Sequence, residues 1–244
     1  MDINFNGIVI IVGNYGSGKT EIAINLAVQQ KLKGKDVKVA DLDLVNPYFR
    51  TREARQQLLA LGIEVILPPE QYMAADLPIL SPRVANLIRQ QNQLSILDSG
   101  GDDVGATVLA ALAEPLKGRP LRMLQVVNPF RPYTDSVAGC MKIRREIESA
   151  SKIQMSGIIG NANLIDDTQI SHIYEGYDFA QRLSRESALP LEFITVAQRL
   201  GPEIDLKRFS CPVLTIKRQL VPPWRSAEAL TVSGDGRMRN GKRP

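Results

Sequence analysis

Short apolar, β-branched runs alternate with longer helix-like stretches from end to end of this chain, and that rhythm restricts it more than any other feature. Eight runs read as strands: Gly7 to Val12, Val37 to Asp41, Glu64 to Leu67, Leu94 to Asp98, Leu121 to Val127, Ile153 to Ile159, Leu191 to Val196 and Val213 to Ile216. Most lack polar alternation, as strands covered on both faces do. Between them, helical spacing predicts helices over Gly18 to Lys33, Thr51 to Leu61, Pro82 to Gln91, Ala106 to Leu116, Asp135 to Ala150 and Thr168 to Ser187. Repeated βα units of this kind give an α/β fold in three layers, a mostly parallel sheet of seven or eight strands with helices on both faces.

At 244 residues, one large domain is the economical reading. It is expected over 1–224, ending at Pro222, Pro223 and Trp224. A basic, mobile tail is expected over 225–244, with five basic residues against two acidic ones. The formal net charge of +4 therefore sits mostly in that tail, which argues against nucleic acid as a partner of the body. Two distant cysteines, Cys140 and Cys211, and one histidine, His172, are too few soft ligands for zinc or an iron-sulfur cluster. No leader or membrane-spanning run is seen at the N-terminus, so the expected setting is cytoplasmic, with no membrane partner.

The chemistry concentrates at the ends of three strands. Gly13, Asn14, Tyr15, Gly16, Ser17, Gly18, Lys19 and Thr20 fit GxxxxGKT directly after a strand and before a helix. Such a turn converges backbone N–H groups on phosphate oxygens, Lys19 adds a cation at the β/γ phosphates, and the Thr20 hydroxyl suits Mg2+. The next residue, Glu21, cannot donate to a phosphate; it is expected to point aside and complement the helix dipole.

Asp41 and Asp43 end the second strand, two residues apart. Both can face the phosphate end, one orienting the attacking water and one supporting magnesium; a solvated strand end with two acids is the plainer alternative. The fourth strand delivers Asp98, followed by Ser99, Gly100, Gly101, Asp102 and Asp103. A carboxylate there suits magnesium, usually through a bound water, and the glycines allow close approach to the γ-phosphate. Asp102 is either catalytic or a helix cap.

In order, GNYGSGKT, VADLDLVNPYFR, ILDSGGDDVGA, VVNPFRP and GIIGNAN resemble the MinD/ParA/CobQ group of P-loop ATPases, which includes the nitrogenase iron protein. The resemblance covers about residues 7 to 200. It implies a sheet in which the phosphate-loop strand lies beside the Asp98 strand, and a homodimer in the ATP state that resets by hydrolysis. It further implies Asp43 as the water-activating carboxylate, Asp98 as the Mg2+ support, Gly101 as the γ-phosphate glycine and Asn161 as an adenine contact. Val196 to Arg199 would line the base. The chain departs from the group at Asn14, where many members carry a lysine that reaches the other subunit's phosphates. A neutral amide cannot supply that charge, so slow hydrolysis is expected.

The function expected is thus an ATP- and Mg2+-dependent hydrolase working as a dimeric switch on an unknown protein partner. One alternative is a synthetase or kinase acting on a small-molecule acid, with an acceptor pocket from Glu70, Tyr72 and Asp76 or from Arg50 and Arg52. Another is a GTPase, because Asn163, Leu164, Ile165 and Asp166 have the spacing of a guanine-reading NKxD motif with leucine in place of lysine.

Overall fold

The computed structural model describes residues 2–43, 54–67, 82–90, 93–101, 103–221 and 226–230. Eight strands form one sheet: β1 (Gly7–Gly13), β2 (Val37–Asp41), β3 (Glu64–Ile66), β4 (Leu94–Asp98), β5 (Leu121–Val127), β6 (Gly157–Gly160), β7 (Leu191–Ala197) and β8 (Val213–Ile216). They are ordered β3-β2-β4-β1-β5-β6-β7-β8, and every neighbouring pair is parallel. Six α-helices accompany them: α1 (Lys19–Leu32), α2 (Arg55–Ala60), α3 (Pro82–Arg89), α4 (Asp103–Leu116), α5 (Val137–Ser151) and α6 (Ile170–Ser187).

The period-2 alternation of β1 divides the core. Val9 and Ile11 pack with α1 and with Leu58 of α2 on one face of the sheet, while Ile8, Ile10 and Val12 pack with α3 and α4 on the other. Both faces are dry, with Ile10 and Ile11 each 0 % exposed, so the strand needs no polar alternation. Helices α5 and α6 continue the second layer over β6 and β7. Helix α1 is the central one and is buried nearly all round, including Ile22, Ala23, Leu26 and Ala27.

Differences from the sequence reading fall at element ends. The sixth strand starts at Gly157 rather than Ile153, because α5 runs on to Ser151, whose hydroxyl accepts from the Ile153 N–H at 3.2 Å. The Ser156 N–H then donates to the Met123 carbonyl at 2.8 Å. Residues 226–230, placed by sequence in the tail, lie against the domain: Leu230 is 2 % exposed within the α1 core, and the Glu228 N–H donates to the Arg218 carbonyl at 2.9 Å. The buried Leu230 side chain anchors that return.

Candidate functional site

Strand β1 ends in a tight turn that brings Gly13, Gly16 and Gly18 to positive φ. Gly18, at φ 96°, stands as the residue before α1, and a Cβ there would lie 2.2 Å from the Asn161 Nδ2; no side chain fits. Lys19 is 7 % exposed and its Nζ donates to the Asn14 carbonyl at 3.0 Å, bridging the turn. Thr20 follows in the first turn of α1, 9 % exposed. Asn14 is turned into its own chain: its Nδ2 donates to the Pro132 carbonyl at 3.0 Å, and its Oδ1 accepts from the Tyr15 N–H at 2.8 Å. Two buried polar atoms, Ser17 Oγ in this turn and Arg131 Nε beside it, have no hydrogen-bond partner among the described residues. Native proteins rarely leave such groups unmatched away from a place that a ligand completes.

The carboxylates arrive on neighbouring strands. In the parallel register Asp41 stands opposite Asp98, and Ile11 opposite Asp98. Alternation from Val39, Ile96 and Val9, all in the α1 core, puts Asp41 and Asp98 on the α1 face, the face that carries Thr20. The chain then bends: the Leu42 N–H donates to the Asp98 carbonyl at 2.8 Å, and the Asp43 N–H to Asp41 Oδ1 at 3.0 Å. Asp43 lines the cavity with Lys19 and Thr20, while Asp41 and Asp98 lie behind, 1 % and 0 % exposed. The Thr20 hydroxyl and the two buried carboxylates would together make an all-oxygen donor set of the kind that suits Mg2+, which keeps several waters and needs few protein ligands.

Gly101 packs onto the same turn. A Cβ there would meet Lys19 Nζ at 2.7 Å, the Tyr15 nitrogen at 2.8 Å and the Gly13 oxygen at 2.9 Å. Asp102, Arg50, Arg52, Glu70, Tyr72 and Asp76 lie outside the described residues.

The cavity of about 570 Å³ runs from the loop past Asn128 and Arg131 to Asn163, Ile165, Asp166, Arg199 and Arg218. It opens at the C-terminal ends of the strands, where ligands bind in open α/β sheets. A groove of about 720 Å³ lies at the opposite ends, among Gly7, Ser95 and Pro120, and no motif reaches it. At the far wall of the first cavity the chain turns sharply. Ile165 adopts φ 62° and is 48 % exposed, an outlier for a β-branched residue. The turn is fixed by Arg199, whose guanidinium donates to the carbonyls of Asp166 at 3.0 Å and Thr168 at 2.6 Å. Arg218 pairs with Asp166 at 3.0 Å. Asn161 also lines the cavity, and its amide donates to the Ser17 carbonyl at 2.6 Å and accepts from the Thr195 hydroxyl, tying the glycine turn to β6 and β7.

Glu21 does point away from the loop, toward a target the sequence reading missed. Its carboxylate accepts from the backbone N–H groups of Gln219 and Leu220. Asn25, one turn on, exchanges two bonds with Lys217, donating to its carbonyl at 3.1 Å and accepting from its N–H at 2.8 Å. Burial pushes the Glu21 carboxyl up to about 7, against the pull of those two N–H groups and Arg218. Residues 217–221 are thereby strapped along α1 and form the outer wall of the cavity. The signal in the sequence was the carboxylate and amide four residues apart in the first turns of α1, with no charge partner of their own nearby. Arg131, also missed, stood in the VVNPFRP segment already marked as a motif.

No family model and no curated protein matches the chain. Solved structures do. FtsY of Mycoplasma mycoides is 21 % identical with a TM-score of 0.53, covering 80 % of this chain and 62 % of its own. The cell division protein FtsY of Thermotoga maritima is 24 % identical with a TM-score of 0.53, covering 80 % and 65 %. The signal recognition particle 54 kDa protein of Aeropyrum pernix, solved in complex with GDP, is 18 % identical with a TM-score of 0.51, covering 80 % and 42 %. This chain thus spans less than two thirds of each. At these identities the likeness is one of fold, and the fold is that of the α/β P-loop NTPases, an eight-stranded parallel sheet between helices.

Proposed function

We propose that the chain is a Mg2+-dependent P-loop nucleoside triphosphate hydrolase, and that its nucleotide is GTP. The observation that carries the hydrolase reading is the convergence on one cavity of the loop, Lys19, Thr20 and Asp43, with Asp41 and Asp98 behind. Lys19 neutralises the β/γ phosphates. Asp43, the carboxylate nearest the cavity at the loop end, accepts a hydrogen bond from the attacking water and orients it. Magnesium, when bound by Thr20 and through water by Asp98 and Asp41, would polarise the phosphoryl oxygens.

The base assignment rests on the far wall. Guanine presents two N–H donors on its Watson–Crick edge, and a fixed carboxylate is their natural acceptor; Asp166, held by Arg218, supplies one at the cavity rim. Two structures of similar fold were solved in complex with GDP. ATP is the second reading, favoured by the resemblance to the MinD/ParA/CobQ group and by Asn161 lining the cavity.

A dimeric switch acting on a client is the working form that this resemblance implies. Exposed Tyr15, 69 % accessible, lines the cavity mouth and is available for such a contact. Thermal shift decides the nucleotide: at a hundred times its dissociation constant a ligand adds about 2.7 kcal/mol, roughly 5 to 10 °C for a chain of this size. A shift with Mg-GTP and GDP but not ATP is expected, together with phosphate release. No shift with any of them would refute the proposal, and a larger shift with ATP would replace the base. Size measured with triphosphate, with diphosphate and without either tests the dimer.

A further inference from the structure

We propose that Arg131 is a catalytic residue of this site, its guanidinium stabilising the charge that builds on the phosphoryl oxygens during hydrolysis. The assignment rests on the hydrolase reading above and adds a residue to it.

Arg131 belongs to the turn that follows β5. Its backbone is held independently of its side chain: the Arg131 N–H donates to the Asn128 carbonyl at 3.2 Å and the Thr134 N–H to the Arg131 carbonyl at 3.2 Å. The Thr134 hydroxyl donates to the Asn128 carbonyl at 2.7 Å. The Asn14 amide, bonded to Pro132, joins this turn to the phosphate loop. The side chain so delivered lines the cavity, with Nε 3.8 Å from where a Cβ on Gly16 would stand. That Nε is buried and has no hydrogen-bond partner among the described residues.

Other cations along the cavity have different duties. Arg199 is spent on backbone carbonyls of the 165–168 turn and Arg218 on Asp166, both at the base end. Lys19 and Arg131 are the cations at the loop end among the described residues that line the cavity. A guanidinium that lines the cavity beside the middle of the loop, its Nε closed off, can offer its terminal N–H groups to an anionic oxygen arriving there.

In the reaction the water oxygen bonds to the terminal phosphorus as the bond from that phosphorus to the β–γ bridging oxygen breaks. The electron pair stays on the diphosphate, and the water's proton passes by way of Asp43 to the released phosphate. Charge grows on the bridging and terminal oxygens as that bond breaks, so a fixed cation there lowers the barrier without tightening the diphosphate complex.

Arg131→Ala, Arg131→Lys and wild type are compared for turnover, for affinity toward the Mg-diphosphate, and for the tightening of that diphosphate by aluminium fluoride. The purine is whichever one the wild type hydrolyses. Turnover in Arg131→Ala is expected to fall on the order of 10³-fold, with diphosphate affinity within about threefold and the aluminium-fluoride tightening lost. Lysine should restore little, lacking the planar fork, while added guanidinium ion should restore part of the alanine variant's turnover. Wild-type turnover in Arg131→Ala overturns the assignment. So does a parallel loss of diphosphate affinity and melting temperature, which would make Arg131 a structural or ground-state contact. Failure of the wild type itself to bind any purine nucleotide is a separate result, and removes the parent reading along with this one.

Discussion

Asp41 and Asp98 end adjacent parallel strands as register partners, both essentially inaccessible and both on the face covered by α1. Two buried carboxylates side by side favour a cation in front of them. Asp98→Asn is therefore expected to weaken Mg-triphosphate binding about 10- to 100-fold while sparing diphosphate binding in chelator. Calorimetry with and without Mg2+ checks it; equal losses in both conditions would mean a folding defect instead.

Asp43 stands two residues beyond Asp41 and reaches the cavity. Asp43→Asn keeps the shape and removes the acceptor for the water's proton, so it should bind triphosphate normally and hydrolyse it roughly 100-fold more slowly. Unchanged single-turnover kinetics would reassign the water to another group.

Gly101 is in contact with the loop rather than merely near it. A methyl group there would crowd two backbone atoms, the Tyr15 nitrogen and the Gly13 oxygen, besides Lys19 Nζ. The lysine tip can move aside, but the backbone cannot without distorting the cradle. Gly101→Ala should cost about 1–3 kcal/mol of stability as overpacking and at least about tenfold in triphosphate affinity. Retained affinity would show that the loop is softer than its contacts suggest.

Much of this was legible in the sequence, for a physical reason. The turn after β1 is a local object: strand, glycine turn and helix start are contiguous, so Gly13 to Thr20 could be read as one unit. Pure apolar runs likewise announced buried parallel strands, and all eight are present. What local reading could not supply were pairings across more than a hundred residues. Glu21 looked like a dipole-complementing acid because its partners, Gln219 and Leu220, are about two hundred residues away. Asn161 was read through a resemblance as a base contact; it lines the cavity, and its bond to the Ser17 carbonyl, 144 residues away in sequence, was not legible. Leu230 was read as tail because the short stretch around it, although it holds Ala227, Ala229 and Val232, shows no helical or strand periodicity.

The strap over α1 makes its own prediction. Asn25 gives and receives a hydrogen bond with Lys217 and is 5 % exposed, so Asn25→Ala removes the side-chain acceptor of the Lys217 N–H and one of two donors to its carbonyl, which also accepts from Gln219 Nε2 at 3.3 Å. A loss of about 1–3 kcal/mol is expected by urea denaturation, with faster amide exchange at 217–220 and little change at β1. A uniform rise in exchange across the sheet would show that the strap does not open separately.

The two thiols test the core itself. Cys140 is 0 % and Cys211 8 % exposed, and burial pushes them up to about 12 and about 11, with Asp135 adding to the rise at Cys140. Both should stay as thiols at pH 8, and since the thiolate is the attacking form, the native protein should react with a disulfide reagent at least about 100-fold more slowly than the urea-denatured chain. The linkage has a definite sign. These groups hold their protons longer folded than unfolded, so stability is unaffected by them below the unfolded value near 9 and declines as pH rises from there toward 11 or 12. Urea midpoints for wild type and for the Cys140→Ala, Cys211→Ala double variant, taken from pH 8 to 11, separate this contribution from the lysines and tyrosines that titrate in the same range. A steeper alkaline decline in the wild type is expected; parallel lines, with rapid labelling of the native protein at pH 8, would mean that α5 and the 209–213 segment open far more readily than their packing implies.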